Sequence, residues 1–505
     1  MKANQIKSGA ILSYVTLFVS VIIGLLYTPW MISTIGKSDY GLYTLAMSII
    51  GLMAFDFGLG NATTKFITQY LAEGRQDKVD NLLGIIYKLY LALDGLILLV
   101  FVVMYFLLPR IYTGLTPAEL DRFTNVFVIA SFYCVLSFPF IPLNGELTSY
   151  EQFVPLKACD LFQRLFIVVT MSICLLMGHG LYALIIVNSL SGIITILLKL
   201  FFVKRDTPIK VNFKFWDKGE LRSIYTFIIW ITIAALSQRL IFNVTPSILG
   251  MFADSNEIAV FGIAIVLESY VFMFANAING MFLPRVSKFF FHEQQSEILD
   301  LMIKVGRIQI YIIGFICIWF IAFGRHFIDV WMGDGYAGVY LCTILIILPS
   351  FFHLPQEIGH TYVIAANKVK KQSYVFVVMG LLNIALSIPM SIHFGSLGVC
   401  VSIFIAYMVR TIGLDIIFYK DLHLDVFAFF KASFIKLGPL FLVILATGLL
   451  VNYGIHIEGW VGLFIKSAVF VILYVLLCWT LGMNEYEKDL FVYRTIRKVF
   501  KRRSA

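Results

Sequence analysis

Three groups of polar and ionisable residues interrupt the long apolar runs of this chain at spacings that could do chemistry. His353, Glu357 and His360 follow one another at intervals of 4 and 3, which is one face of a helix. Two imidazoles beside a carboxylate could relay protons or a cation, because histidine titrates near neutral pH, or they could wall a hydrated cavity. The spacing is not the H-E-x-x-H pattern of a zinc-binding helix, and no further ligand cluster is visible, so no metal is expected. A second group, Thr232, Arg239, Asn243 and Ser247, has intervals of 7, 4 and 4. The third, Glu268, Asn276 and Asn279, has intervals of 8 and 3. Each of these also reads as one helical face, and together they could line a hydrophilic cavity. Arg239 and Glu268 could equally form a buried ion pair. An unneutralised charge at the centre of a membrane helix costs roughly 2.5–3.5 kcal/mol on insertion scales, so each one kept there asks for a reason.

Further charges lie inside apolar stretches. Asp56 opens Asp56-Phe57-Gly58-Leu59-Gly60-Asn61, where an acid meets helix-loosening glycines. That segment reads as a functional acid or as a kinked joint between closely packed helices. Arg410 lies ten residues before Lys420 and is too deep to reach the membrane surface easily. Lys88 and Arg164 are shallower and could extend their charged ends to the interface. Asp94 and Asp415 complete the set.

The elements that must position these groups follow from composition. The chain has 505 residues, of which 60% are hydrophobic and 14% charged, against roughly 25% charged in an ordinary soluble domain. A membrane helix uses roughly 20 apolar residues, so this material supplies a dozen or more of them. The hydropathy reads as 14 helices, at about 9–33, 40–70, 83–108, 122–147, 157–178, 181–203, 223–250, 258–288, 303–328, 338–366, 372–393, 396–419, 437–454 and 460–481. The fold class is therefore an all-α polytopic membrane protein. The longest polar gap, 204–222, is 19 residues, and a separate catalytic or nucleic-acid-binding domain needs roughly 50 or more. Function must sit inside the helix bundle, and an enzyme is not expected. The first apolar run is also too long to be the core of a cleavable signal peptide. The seven cysteines stand singly, without metal-binding or redox spacing, and read as small buried hydrophobes.

The net charge of +9 is distributed in short loops rather than on a soluble face, which argues against nucleic acid. About 30 of the 39 Lys and Arg fall at the termini and in alternate loops, while the opposite side holds only Lys37, Arg110, Arg122 and Arg325. Such an asymmetry orients both termini toward the cytoplasm. In the tail, Val492, Ile496, Val499 and Phe500 share a face, with Arg494, Arg497, Lys498 and Lys501 mostly off it. A basic amphipathic helix of that kind suits the anionic inner leaflet.

The chain repeats itself. Thr28-Pro29 recurs as Thr245-Pro246 and Gly178-His179-Gly180-Leu181 as Gly395-Ser396-Leu397-Gly398, both at an offset of 217. Tyr40-Gly41 recurs loosely as Phe261-Gly262, and Pro142 with Gly145 as Pro355 with Gly359. Two six-helix units are expected, 1–205 and 206–420, followed by two extra helices and the basic tail in 421–505. Six is even, so the units are parallel repeats, an arrangement that in transporters puts the substrate site at the repeat interface.

Pro29, Ile35-Gly36, Asp39-Tyr40-Gly41 and Asp56-Phe57-Gly58-Leu59, preceded by Asn4 and Lys7, resemble the opening of the polysaccharide-repeat (O-antigen type) flippase family. That family belongs to the multidrug, oligosaccharidyl-lipid and polysaccharide exporter (MOP) superfamily, and the segment 243–268 is similar to its helix seven to eight region. The resemblance implies two six-helix lobes working by alternating access in the bacterial cytoplasmic membrane, without a cofactor. It implies an undecaprenyl-diphosphate-linked oligosaccharide as cargo, and polysaccharide polymerase and chain-length proteins as possible partners. For such a cargo Arg239 and Arg410, then Lys88 and Arg164, are the cations for a diphosphate, and Asn243, Asn276 and Asn279 the amides for sugars. Asp56, Glu268, Glu357, His353 and His360 are left for counter-charge or for coupling to H+ or Na+. Two alternatives remain open: a cation-coupled multidrug exporter of the same superfamily and, behind it, a membrane polymerase or glycosyltransferase.

Overall fold

In hydrocarbon a backbone N–H or C=O has no water to bind, so each apolar run must satisfy its own backbone as helix. The computed structural model describes residues 2–55, 57–279, 282–366 and 368–489. Among these, each of the fourteen apolar runs is helical. They are α1, Lys2–Ile35; α2, in two pieces, Lys37–Met53 and Leu59–Ala72; and α3, Gln76–Ile111. Then come α4, Pro117–Ser137 with Leu143–Ser149; α5, Phe153–Leu176; α6, Leu181–Asp206; and α7, Lys218–Phe252. Next are α8, Ser255–Asn279 with Leu283–Phe291; α9, Gln295–Met332; and α10, Ala337–His353 with Glu357–Ala365. The stretch Val369–Asp421 turns at Gly395 (φ 54°) into α11, 369–394, and α12, 396–421. The last two are α13, Val426–Phe430 continuing through Lys436–Gly454, and α14, Gly459–Leu477.

Among the described residues, twelve helical segments are long and apolar enough to cross a membrane. The count is two below fourteen because α11 and α12 run together in 53 residues, and because the break in α2 leaves pieces of 17 and 14 residues. This is a multi-pass membrane protein. Apolar side chains left on the outside, such as Phe106 on α3 and Leu442 and Ile472 on α13 and α14, are exposed in the way that lipid-facing residues are.

The breaks have local causes. At α2 the chain passes through left-handed conformations at Phe57 (φ 50°) and Gly58 (φ 70°). In α4 the 3-10 turn Phe138–Phe140 contains Pro139, and in α10 the 3-10 turn Leu354–Gln356 contains Pro355, since proline cannot donate the helical hydrogen bond. Pro142 and Pro355, paired in the sequence reading, thus lie respectively just after the break in α4 and within the break in α10. Gly178 and Gly395, which also correspond, both adopt positive φ. The sequence reading of three of these runs as single helices (40–70, 122–147 and 338–366) omits these interruptions.

The chain divides into two compact units, Met1–Gly262 with Phe376–Ser402, and Ile263–Val375 with Ile403–Ala505. In the first, Leu143 and Leu147 of α4 pack with Leu156 of α5 and Val203 of α6. In the second, α9 packs on α13 and α14 through Ile310, Tyr311, Phe323, Leu437, Ile444, Leu463 and Phe470. The amphipathic tail lies, beyond residue 489, outside the described residues.

Candidate functional site

In the first unit the polar face of α7 meets the broken part of α2. A helix break strands carbonyls, and in an apolar medium each needs a donor. Thr232 Oγ1 donates to the Phe57 carbonyl at 2.5 Å, and the Arg239 guanidinium donates to the carbonyl of Gly51. Asn243 Nδ2 donates to the Ser48 carbonyl at 3.2 Å. The guanidinium of Arg239 also lies over the Phe55 ring, 5.2 Å from its centroid. Gly51 leaves room for the approach: a Cβ there would stand 2.4 Å from Asn243 Nδ2, so the amide would have to shift. Ser247, the fourth member of the face, accepts from Tyr112 Oη at 3.3 Å. The four residues that share a face by spacing therefore dock α7 onto neighbouring helices. Asp56, in the same break, lies outside the described residues. Beside the break is an apolar cavity of about 220 Å³, with Phe57, Leu89, Leu93, Ile228 and Thr232 among its walls.

Lys88 and Arg164 do not join that group. Lys88 Nζ donates to the Phe215 carbonyl at 2.9 Å and sits 5.5 Å from the Trp216 ring centroid, tying α3 to the loop before α7. Arg164 is exposed on α5. Arg239 belongs to the first unit and Glu268 to the second.

In the second unit the structure brings together four of the singled-out residues. His353, Glu357 and His360 of α10 and Arg410 of α12 line one cavity with Gln356 and Thr411. Its volume is about 10 Å³, room for roughly one water-sized particle and not for a sugar. His360 Nδ1 is 3.0 Å from Glu357 Oε1. His353 Nδ1 lies 3.0 Å from the Pro349 carbonyl, and its ring is 5.4 Å from that of Tyr407. Arg410 is buried, with its guanidinium 5.5 Å from the same Tyr407 ring. Glu268, on α8, is also buried. The break at Pro355 preserves the common face, because one turn of tighter helix still leaves all three α10 residues on the cavity. Asn276 and Asn279 fall on the same helix as Glu268, but their side chains lie outside the described ones.

Three polar constellations escaped sequence reasoning. Glu146, just after the break in α4, is buried and accepts from Tyr87 Oη at 2.8 Å. Its signal was an acid beside Pro142 and Gly145 near the end of an apolar run. At the end of the first unit where α2, α4 and α8 begin, Glu119 accepts from Ser38 Oγ at 2.6 Å and from Ser255 Oγ, while the two hydroxyls are 3.0 Å apart. There Gly114 N also donates to the Gly250 carbonyl at 3.2 Å. A Cβ on Gly41 would come within 1.9 Å of the Ser255 carbonyl oxygen, so this end is tightly closed. In the second unit Arg307 and Glu487, 3% and 1% exposed, pair at 2.5 Å. Arg307 also donates to the carbonyls of Ala432 and Gly482. Those carbonyls sit in two π-helical turns, Lys431–Ile435 and Cys478–Gly482, whose widened register frees acceptors.

Comparison with known proteins places this geometry. The family model described as "Polysaccharide biosynthesis protein" matches residues 6–290. No curated protein matches the chain. Among solved structures, one described as lipid II flippase MurJ in an inward closed conformation matches with a TM-score of 0.71 at 14% identity, covering 96% of this chain and 100% of that one. An inward-facing multidrug resistance MATE family transporter of the MOP superfamily matches with a TM-score of 0.61 at 16% identity, covering 77% and 95%. A MOP superfamily transporter from Pyrococcus furiosus matches with 0.58 at 16%, covering 81% and 94%. These likenesses show the fold, which is the one those MOP superfamily proteins share.

Proposed function

The chain belongs to the polysaccharide biosynthesis protein family, and from that premise we propose that it is a flippase. Its cargo on this reading is an undecaprenyl-diphosphate-linked oligosaccharide repeat unit, carried across the bacterial cytoplasmic membrane by alternating access. One observation carries the reading. A member of a polysaccharide biosynthesis family that is membrane helix through nearly all its described length has loops too short for a glycosyl-transferring domain. Moving a lipid-linked intermediate is the step such an architecture suits.

The residues divide the work by chemistry. A diphosphate entering a low-dielectric site is held by cations far more strongly than in water, and this reading assigns it to half-buried Arg239 and, once its water-sized cavity widens, to buried Arg410. Lys88, tethered to the loop before α7, and Arg164 are secondary contacts. Asn243, Asn276 and Asn279 serve the sugar hydroxyls. The cavity beside the α2 break is apolar enough to take part of a prenyl chain. The cavity of Glu357, His360, His353 and Arg410 fits a proton or a small cation better than a sugar, so it is the coupling site on this reading, with Glu268 and Asp56 as further counter-charges. Closure at Ser38, Glu119 and Ser255 seals one end of the first unit. With both termini in the cytoplasm that end is the outer one, and the two lobes are 1–205 and 206–420, with 421–505 appended.

The experiment is reconstitution in proteoliposomes carrying the lipid-linked oligosaccharide in one leaflet. The sugar should become accessible to an external glycosidase only with protein present, and faster under an imposed H+ or Na+ gradient. No movement of the oligosaccharide sinks the flippase reading, and movement indifferent to both gradients sinks the coupling role. A second reading, export of small cationic drugs, has one observation behind it: the second unit holds buried Glu268 as well as the Glu357–His360 pair. Transport of a cationic dye in place of the oligosaccharide would select it.

A further inference from the structure

A polar cavity where α9, α13 and α14 meet takes no part in the function argued above. Its volume is about 510 Å³, within the range of roughly 300–1,000 Å³ typical of ligand pockets. Arg325, His326 and Asp329 come from the end of α9, Asn452 from the end of α13, Glu458 from the connecting turn and Lys466 from α14. Lys466 is 6% exposed. Its Nζ donates to Asn452 Oδ1 at 3.0 Å and lies 3.3 Å from His326 Nδ1. An amide and an imidazole are dipoles and not counter-charges, so the buried ammonium keeps much of its desolvation penalty until an anion arrives. Asp329, Glu458 and Arg325 are exposed, which sets two carboxylates and one guanidinium at the mouth above the buried ammonium on the floor.

The surroundings fix the depth. Tyr453 and Trp460 flank the cavity at 79% and 45% exposure, and such amphipathic rings settle at the level of lipid headgroups. On the adjoining turn of α14, Val461 and Phe464 are exposed apolar residues of the kind that face acyl chains. The cavity thus opens where a lipid phosphate lies, with a positive charge inside and, counting Arg325 against Asp329 and Glu458, a net negative charge at its mouth.

We propose that this cavity binds the headgroup of a zwitterionic phospholipid of the phosphoethanolamine class. The phosphate meets Lys466, with Asn452 and His326 beside it, and the ammonium arm meets Asp329 and Glu458. Binding would pin the α13–α14 pair to α9 from the membrane side.

The test uses the full chain, purified in detergent and stripped of lipid, with binding read by native mass spectrometry and by the shift in thermal unfolding. Phosphatidylethanolamine should bind about tenfold more tightly than phosphatidylglycerol, and more tightly than phosphoethanolamine or inorganic phosphate free in solution. Lys466→Met should weaken it by about tenfold. Should that variant not fold, the double variant Asp329→Asn with Glu458→Gln decides, since it alters exposed groups only and should make the two lipids equal. Equal binding of both lipids by the unaltered protein overturns the proposal, as does equally tight binding of either soluble probe. Undiminished phosphatidylethanolamine binding by Lys466→Met, or a retained preference in the double variant, overturns it too.

Discussion

Arg239 and Arg410 are both arginines in apolar helices, yet their surroundings give them different work. Arg239 is half-buried, donates to a carbonyl stranded by the break in α2, and lies against Phe55. Arg410 is buried in a cavity with two histidines and a carboxylate. In a strain lacking this protein, Arg239→Ala and Arg410→Ala should both fail to restore surface polysaccharide while inserting normally into the membrane. Arg239→Ala should in addition lower unfolding stability by about 1–3 kcal/mol, the cost of leaving a buried acceptor unmet. Full restoration of polysaccharide by both variants would remove the cationic-site idea. The spacing that put Thr232, Arg239, Asn243 and Ser247 on one face was readable from the residues alone, because helical periodicity is local. That the face docks onto a broken helix was not readable, because nothing near residue 239 signals the break near residue 56.

Between elements, the closed end of the first unit is the part that the proposed alternating-access cycle would have to open. It is held by hydrogen bonds of Ser38 and Ser255 to each other and to the half-buried Glu119 carboxylate, and by close approach at Gly41, with no pair of opposite charges to separate among these contacts. Replacing Ser38 and Ser255 together by cysteine should allow a disulfide, given hydroxyls 3.0 Å apart. Oxidation should then stop oligosaccharide transport and a reductant should restore it. Transport that continues with the disulfide formed would mean this end does not open during the cycle. The Arg307–Glu487 clamp is the opposite kind of joint. Breaking a buried ion pair by removing one partner costs about 3–5 kcal/mol, so it suits a permanent attachment of α13 and α14 to α9.

For the molecule as a whole, the distribution of Lys and Arg predicts the orientation. His179, exposed between α5 and α6, and Lys214, exposed between α6 and α7, should lie on opposite faces of the membrane. In a background without native cysteines, His179→Cys should react with a membrane-impermeant maleimide in intact cells, and Lys214→Cys only after permeabilisation. The reverse pattern would invert the topology and with it the assignment of the closed end as the outer one.

The sequence by itself determined the helices, their order and their approximate ends. An apolar run in a medium without water has no alternative to satisfying its own backbone, so each of the fourteen forms irrespective of its neighbours. Proline and glycine marked most of the breaks for the same local reason. Only the tertiary structure decided which polar groups meet. Arg410 joins His353, Glu357 and His360 from another helix, Glu119 joins Ser255 across 136 residues, and Arg307 joins Glu487 across 180. Such pairings depend on how separately formed helices pack, and packing is set by the shapes of whole helix faces rather than by residue type at any one position.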